Sequence, residues 1–153
     1  MSVLSANILI PMIFMIIGLV LLFIYLRNLA KVRAAQAWPT IQGIVIQSWV
    51  RKSSSTDDDG SVSYSYYPEV HYQYQVMGTE YQGNQIAFGP KVGGNRSRAE
   101  KMIAKYPVGA SLTVYYQPDN PDIAVLERSL SKLLLVMGMV FFLAGILIYV
   151  RWG

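Results

Sequence analysis

The sequence predicts a membrane α+β protein: two transmembrane helices flanking a small antiparallel, β-rich domain that contains one short helix. Three observations carry this reading. Ile8–Leu26 and Leu133–Val150 are apolar runs without a charged side chain. At about 1.5 Å of rise per residue, each is about long enough to cross a ~30 Å hydrocarbon core. The stretch between them alternates apolar and polar residues with a period of two, the pattern of half-buried strands. The expected division is residues 1–32 for the first helix with an interfacial extension, 33–131 for the domain, and 132–153 for the second helix.

The first run reads as an uncleaved anchor. Met1–Asn7 hold no charged side chain, and Arg27, Lys31 and Arg33 follow the run; a secretory signal has the opposite layout and a shorter apolar core. Arg27, Lys31, Arg33, Arg128 and Lys132 lie on the inner side of the two spans, against Arg151 on the outer side. The positive-inside rule then predicts a cytoplasmic domain with both termini outside. Beyond the first span, helical composition continues to Ala37, where Trp38-Pro39 ends it, because a residue before proline is pushed out of the helical region.

Gly138 and Gly145, seven apart, share a face of the second span. Such a face permits close helix approach, to the first span or to a second copy. Neither span carries an ionisable group at mid-depth, which argues against transport.

In the domain, Ile44, Ile46, Ser48 and Val50 alternate with Val45, Gln47, Trp49 and Arg51 as a first strand. Ser53–Gly60 reads as a polar loop. Val70, Tyr72, Tyr74 and Val76 face one way and Glu69, His71, Gln73 and Gln75 the other. Met77-Gly78 turns the chain into a returning strand over Glu80–Phe88. Leu112, Val114 and Tyr116 mark a fourth strand, and Ile123–Leu126 a fifth after the turn at Gln117–Asp122. Ser97 with Glu100 fits a capping box, and Ala99, Met102, Ile103 and Tyr106 repeat at helical spacing behind it. A β-sandwich or small barrel follows, with potentially open sheet edges.

Composition narrows the chemistry. The chain has 153 residues, a net charge of +4, one histidine and no cysteine. Disulfides, thiol catalysis and thiolate metal sites are therefore excluded. The charge is too dispersed for nucleic acid, but it suits anionic headgroups, where each Lys or Arg near the surface contributes about 1 kcal/mol.

Three local features are candidate sites. Asp57-Asp58-Asp59-Gly60 is the acidic cluster, yet the position of an EF-hand's closing glutamate is held by Pro68, so no metal is expected. His71 has Glu69 two positions away on the same strand face, a carboxylate able to raise an imidazole pKa. No nucleophile elbow accompanies the serines, so no catalytic residue is expected. Gly89–Arg98 is glycine-rich, basic and opens a helix, a combination able to hold an anion or lipid headgroup through Lys91, Arg96 and Arg98.

Several motifs together resemble the DUF3592 family of small bacterial membrane proteins. They are Trp38-Pro39 with Gly43, the strand Tyr67-Pro68-Glu69-Val70-His71-Tyr72-Gln73-Tyr74, and Gly78 with Tyr81 and Gly83. Tyr106-Pro107-Val108-Gly109, Val114-Tyr115-Tyr116-Gln117-Pro118-Asp119-Asn120-Pro121 and Ala124-Val125-Leu126-Glu127 complete the set. The resemblance implies flanking transmembrane helices. It supplies no catalytic residues, because the family has no assigned function.

The expectation is a non-enzymatic, two-span protein of the bacterial inner membrane that presents a β-rich interaction module. It would act as an accessory subunit, scaffold or self-assembling component, with no cofactor. Its partners would be the lipid bilayer and either itself or another membrane protein. The alternatives are an anionic-lipid or ligand sensor using Lys91, Arg96 and Arg98, and a membrane-tethered hydrolase using Asp57–Asp59 or His71.

Overall fold

A computed structural model describes residues 3–152. In chain order the elements are α1 (Val3–Ala34), a 3-10 turn (Ala35–Ala37), β1 (Thr40–Thr56), β2 (Val62–Val76) and β3 (Thr79–Gly83). Then come α2 (Arg96–Ile103), β4 (Ser111–Gln117), β5 (Asn120–Val125) and α3 (Leu133–Trp152). The chain divides into two compact units, the terminal helices together and the stretch Arg33–Ser129.

In the helical unit, α1 and α3 are each long and apolar enough to cross a membrane, with mean hydropathy of 2.9 and 2.8 over an 18-residue stretch of each. Most large apolar side chains along both helices are exposed, among them Leu19, Phe23, Val140 and Leu147. Where the helices meet, the contact is backbone-close. A β-carbon at Gly18 would lie 2.7 Å from Phe142 N, and one at Gly145 would lie 2.9 Å from Pro11 O. Phe14 and Phe141 add a tilted ring pair at 5.8 Å.

The second unit is one antiparallel sheet in the order β3-β2-β1-β4-β5. Its core is Val45, Val70, Tyr72, Tyr74, Val76, Val114, Ala124 and Leu126. The alternation read along β2 holds, since Val70 and Tyr72 are fully buried and Tyr74 and Val76 nearly so. The tyrosine tips are satisfied inside. Tyr72 Oη lies 3.0 Å from the carbonyl oxygens of both Gln85 and Ala124, one proton shared by two acceptors. Tyr74 Oη donates to Pro121 O at 2.6 Å.

The two edge strands are drawn together. The backbone after β3 bonds to the backbone after β5: Leu126 N–H and Glu127 N–H donate to Ile86 O, and Phe88 N–H donates to Ser129 O. The sheet therefore curls towards a small barrel, with the segments that follow β3 and β5 joined by backbone bonds.

Five expectations need correcting. Ser53–Thr56 is strand rather than loop: β1 and β2 continue as a two-stranded arm with Ser53 opposite Ser65 and Thr56 opposite Val62. Only Asp57–Ser61 turns, with Gly60 at φ +82°. The β1 alternation changes phase at a bulge, because the register slips between Val45 and Gln47. Ile44 is consequently 55% exposed while Val45 is buried and Ser48 and Val50 are half-buried, the re-aiming that a bulge produces. The returning strand ends at Gly83 rather than Phe88, and the fifth begins at Asn120. Lastly, Asn95 rather than Ser97 caps α2: its Oδ1 accepts from Arg98 N–H at 2.9 Å. Glu100 then pairs with Arg96 instead of closing a capping box.

Candidate functional site

Where β4 parts from β1, a long piece of strand is left unpaired. β4 runs beside β1 over Thr40–Ile44, and Gly109 and Ala110 make the last two backbone bonds to Val45. Gly109, at φ +81°, belongs to the Pro107–Gly109 turn that carries the chain away. From Ile46 to Thr56, β1 therefore has β2 on one side and, among the described residues, no strand on the other.

Alternation fixes which groups face the open side. Asp57 N–H donates to Ser61 O at 2.9 Å across the hairpin end, so the odd-numbered residues of the arm bond towards β2. Ser48, Val50, Lys52, Ser54 and Thr56 consequently turn their N–H and C=O groups outward. The same phase explains Pro68 inside β2. Its position is even, opposite Val50, so its missing donor faces away from β1 and breaks no ladder bond. Tyr66, two residues earlier, uses that outer side to exchange two backbone bonds with Gly94.

A shallow groove lined by Ile46, Gln47, Ser48, Trp49 and Val108 runs beside the start of the open edge. Val108 is 64% exposed. The Ser48 hydroxyl oxygen is buried and has no partner among the described residues.

A charged cluster backs the edge on the outer sheet face. Glu69 is buried, and its two oxygens take Arg51 Nε at 3.0 Å and Lys91 Nζ. Burial alone would raise the Glu69 pKa. The hydrogen bonds and charges of Lys91 and Arg51 outweigh it and hold the carboxyl below its ordinary value. Arg51 also lies over the Tyr67 ring, 4.5 Å from its centroid. Trp49 and His71 stack at 5.1 Å on the same face, and Lys52 sits 3.7 Å over the Tyr64 ring.

The sequence-predicted residues fall as follows. Glu69 and His71 share a face, but Glu69 is engaged by two cations and His71 by Trp49. Lys91 is turned onto Glu69 and Arg96 onto Glu100 at 2.7 Å. Arg98 makes no ion pair among the described residues. The glycine-rich segment is docked: Gly94 N–H is spent on Tyr66 O, and a β-carbon at Gly93 would lie 2.6 Å from the Tyr67 ring. Asp57 and Asp59 serve the hairpin turn, accepting from Ser61 Oγ and Ser61 N–H respectively. The Ser61 bonds lower the Asp59 pKa. No three His, Asp or Glu side chains among the described residues are grouped to hold a metal ion. Gly138 and Gly145 lie against α1, at Leu22, Gly18, Met15 and Pro11.

Sequence reasoning expected open sheet edges without placing one on β1, and it missed the roles of Arg51 and Trp49. A signal for the edge was present: Val62, Tyr64 and Tyr66 already alternate with serines ahead of the strand read from Glu69, and Asp59-Gly60 is a hairpin-turn pair.

Two comparisons bear on this surface. No functionally curated protein matches the chain. The family model of a domain of unknown function, DUF3592, matches residues 41–131, which takes in the sheet from Ile41 onward, the open edge and the charged cluster.

Proposed function

The chain belongs to the DUF3592 family, and from that premise we propose that it is a non-enzymatic, two-span membrane protein whose work is contact. The open edge of β1 is the contact surface. An unpaired strand edge supplies a row of donors and acceptors that an extended partner strand satisfies, with side-chain pockets beside it adding selectivity. The observation that carries this reading is the unpaired stretch from Ile46 to Thr56. The groove at Trp49 and Val108 and the unpartnered Ser48 hydroxyl support it. The bilayer is the inner membrane of a bacterium, crossed by α1 and α3, and the charge bias beside the spans supports a cytoplasmic domain. The role is that of an accessory subunit, a scaffold or a self-assembling component.

A headgroup-sensing role for Lys91, Arg96 and Arg98 is less well supported, because Glu69 and Glu100 already take the first two charges.

Amide hydrogen exchange tests the contact reading. The N–H groups of Ser48, Val50, Lys52, Ser54 and Thr56 are expected to exchange more slowly in the protein's own membranes than in dilute detergent. Equal exchange in both settings would overturn it. Orientation has its own test. Because the chain lacks cysteine, a single S65C substitution reports the domain's side, with labelling by an impermeant reagent expected only after the cells are opened.

A further inference from the structure

The distal arm carries its charges in two blocks. Arg51 and Lys52 come first, then Ser53-Ser54-Ser55-Thr56, then Asp57, Asp58 and Asp59. An antiparallel copy of such a segment is its own electrostatic complement about the middle of the serine run. We infer that the open β1 edge pairs with the same edge of a second copy, with the two-fold axis at Ser54. This rests on the contact reading above and names the partner.

Symmetry and pleat restrict the register. A two-fold axis perpendicular to a sheet keeps each residue on its own face, so directly opposed residues have numbers of equal parity. With the axis at Ser54, Ser54 faces itself, Lys52 faces Thr56 and Arg51 faces Asp57. Ser54, Lys52 and Thr56 are the residues whose backbone groups already point to the open side, so each of these pairs exchanges two backbone bonds. Arg51 and Asp57 fall in the closer, non-hydrogen-bonded positions on the outer face, where opposite charges interact best. Arg51 gives only its Nε to Glu69, which leaves its terminal nitrogens for the partner's carboxylate. An axis at Lys52 would give a longer overlap but would set Lys52 against Lys52. A like-charge pair directly opposed opposes that register. Two anchored copies meet in a plane, which raises their effective concentration and allows a short polar pairing to persist.

The test uses the full chain, purified alone and reconstituted in lipid vesicles at high dilution. Facing Ser54 residues in a hydrogen-bonded antiparallel pair would have Cα atoms ~5.5 Å apart, within the reach of a disulfide. Under mild oxidation S54C is expected to form a covalent dimer, while S65C, equally far along the arm on β2, does not. D57K sets a lysine against Arg51 and is expected to lower S54C dimer formation about tenfold. K52P removes an outward N–H without touching the β1–β2 ladder and is expected to do the same, about tenfold. The two variants act through different groups, so a folding defect in one leaves the other decisive.

Dimer formation by S54C no greater than by S65C, or unchanged by both D57K and K52P, would overturn self-pairing. If the edge amides are protected in native membranes while the purified chain forms no S54C dimer, the strand belongs to another protein. Self-pairing then fails and the contact reading stands. If the edge is unprotected and no dimer forms, both fall.

Discussion

Glu69 and Arg51 stand on adjacent strands with Oε1 and Nε 3.0 Å apart, and Lys91 closes on the other carboxylate oxygen. One buried carboxylate thus ties β1, β2 and the segment before α2 together on the outer face. Glu69→Gln is expected to cost about 1–3 kcal/mol, below the loss for a fully buried pair because both cations are half-exposed. The sign of the pH dependence follows from the lowered pKa. The stabilisation is present above the ordinary value of 4.5 and is lost as pH falls through the lower folded value. Denaturant unfolding of wild type and E69Q should differ at pH 7 and converge in acid.

Tyr72 lays its ring across Gly83, its cross-strand neighbour, so closely that a β-carbon there would lie 2.5 Å from the ring. Its hydroxyl meets the carbonyls of Gln85 and Ala124, where the two sheet edges converge. Tyr72→Phe leaves those carbonyls short of a donor and is expected to cost about 1–2 kcal/mol. Faster exchange at the Leu126 and Glu127 amides would locate the loss at the seam. Burial raises the Tyr72 pKa, and burial with Asp122 and Tyr81 nearby pushes Tyr74 up to about 12. Stability from these two groups is complete below their ordinary value of 10.0 and falls as pH rises past it. A midpoint that declines above pH 10 in wild type, and less steeply in Y72F, would show it.

Gly145 meets Met15 and the Pro11 carbonyl with no room for a side chain, since a β-carbon would sit 2.7 Å from Met15 Cγ. Gly145→Leu is therefore expected to separate α1 and α3 locally and to cost about 1–3 kcal/mol. Thermal unfolding in detergent measures this, with Leu147→Ala, at an exposed apolar position, expected to change little by comparison.

How much of this was readable in the sequence depended on how local the determinant was. The two apolar helices followed from the length of their uncharged runs, and the inward face Val70, Tyr72, Tyr74 and Val76 from periodicity alone, because each obeys one rule along one element. The bulge at Ile46 did not, since it is set by pairing with Tyr72 and His71 on the neighbouring strand. The strand in the serine run is hidden for a related reason. Its side chains have no packing power, and its strand conformation comes from the β2 residues opposite it. Lys91 looks like an anion contact in the sequence because of its glycine-rich neighbours. Its distance to Glu69 in sequence hid the carboxylate it meets. The open edge is a property of where β4 ends, and strand lengths compared across a sheet are not written in any single segment.

The claim on which the rest depends is that β1 beyond Val45 is paired on one side only. Residue-resolved amide exchange on the detergent-solubilised chain, at dilution where it is monomeric, tests this directly. Alternation is expected along the arm: slow exchange at Gln47, Trp49, Arg51, Ser53 and Ser55, and fast exchange at Ser48, Val50, Lys52, Ser54 and Thr56. Uniform protection from Gln47 to Thr56 would contradict it.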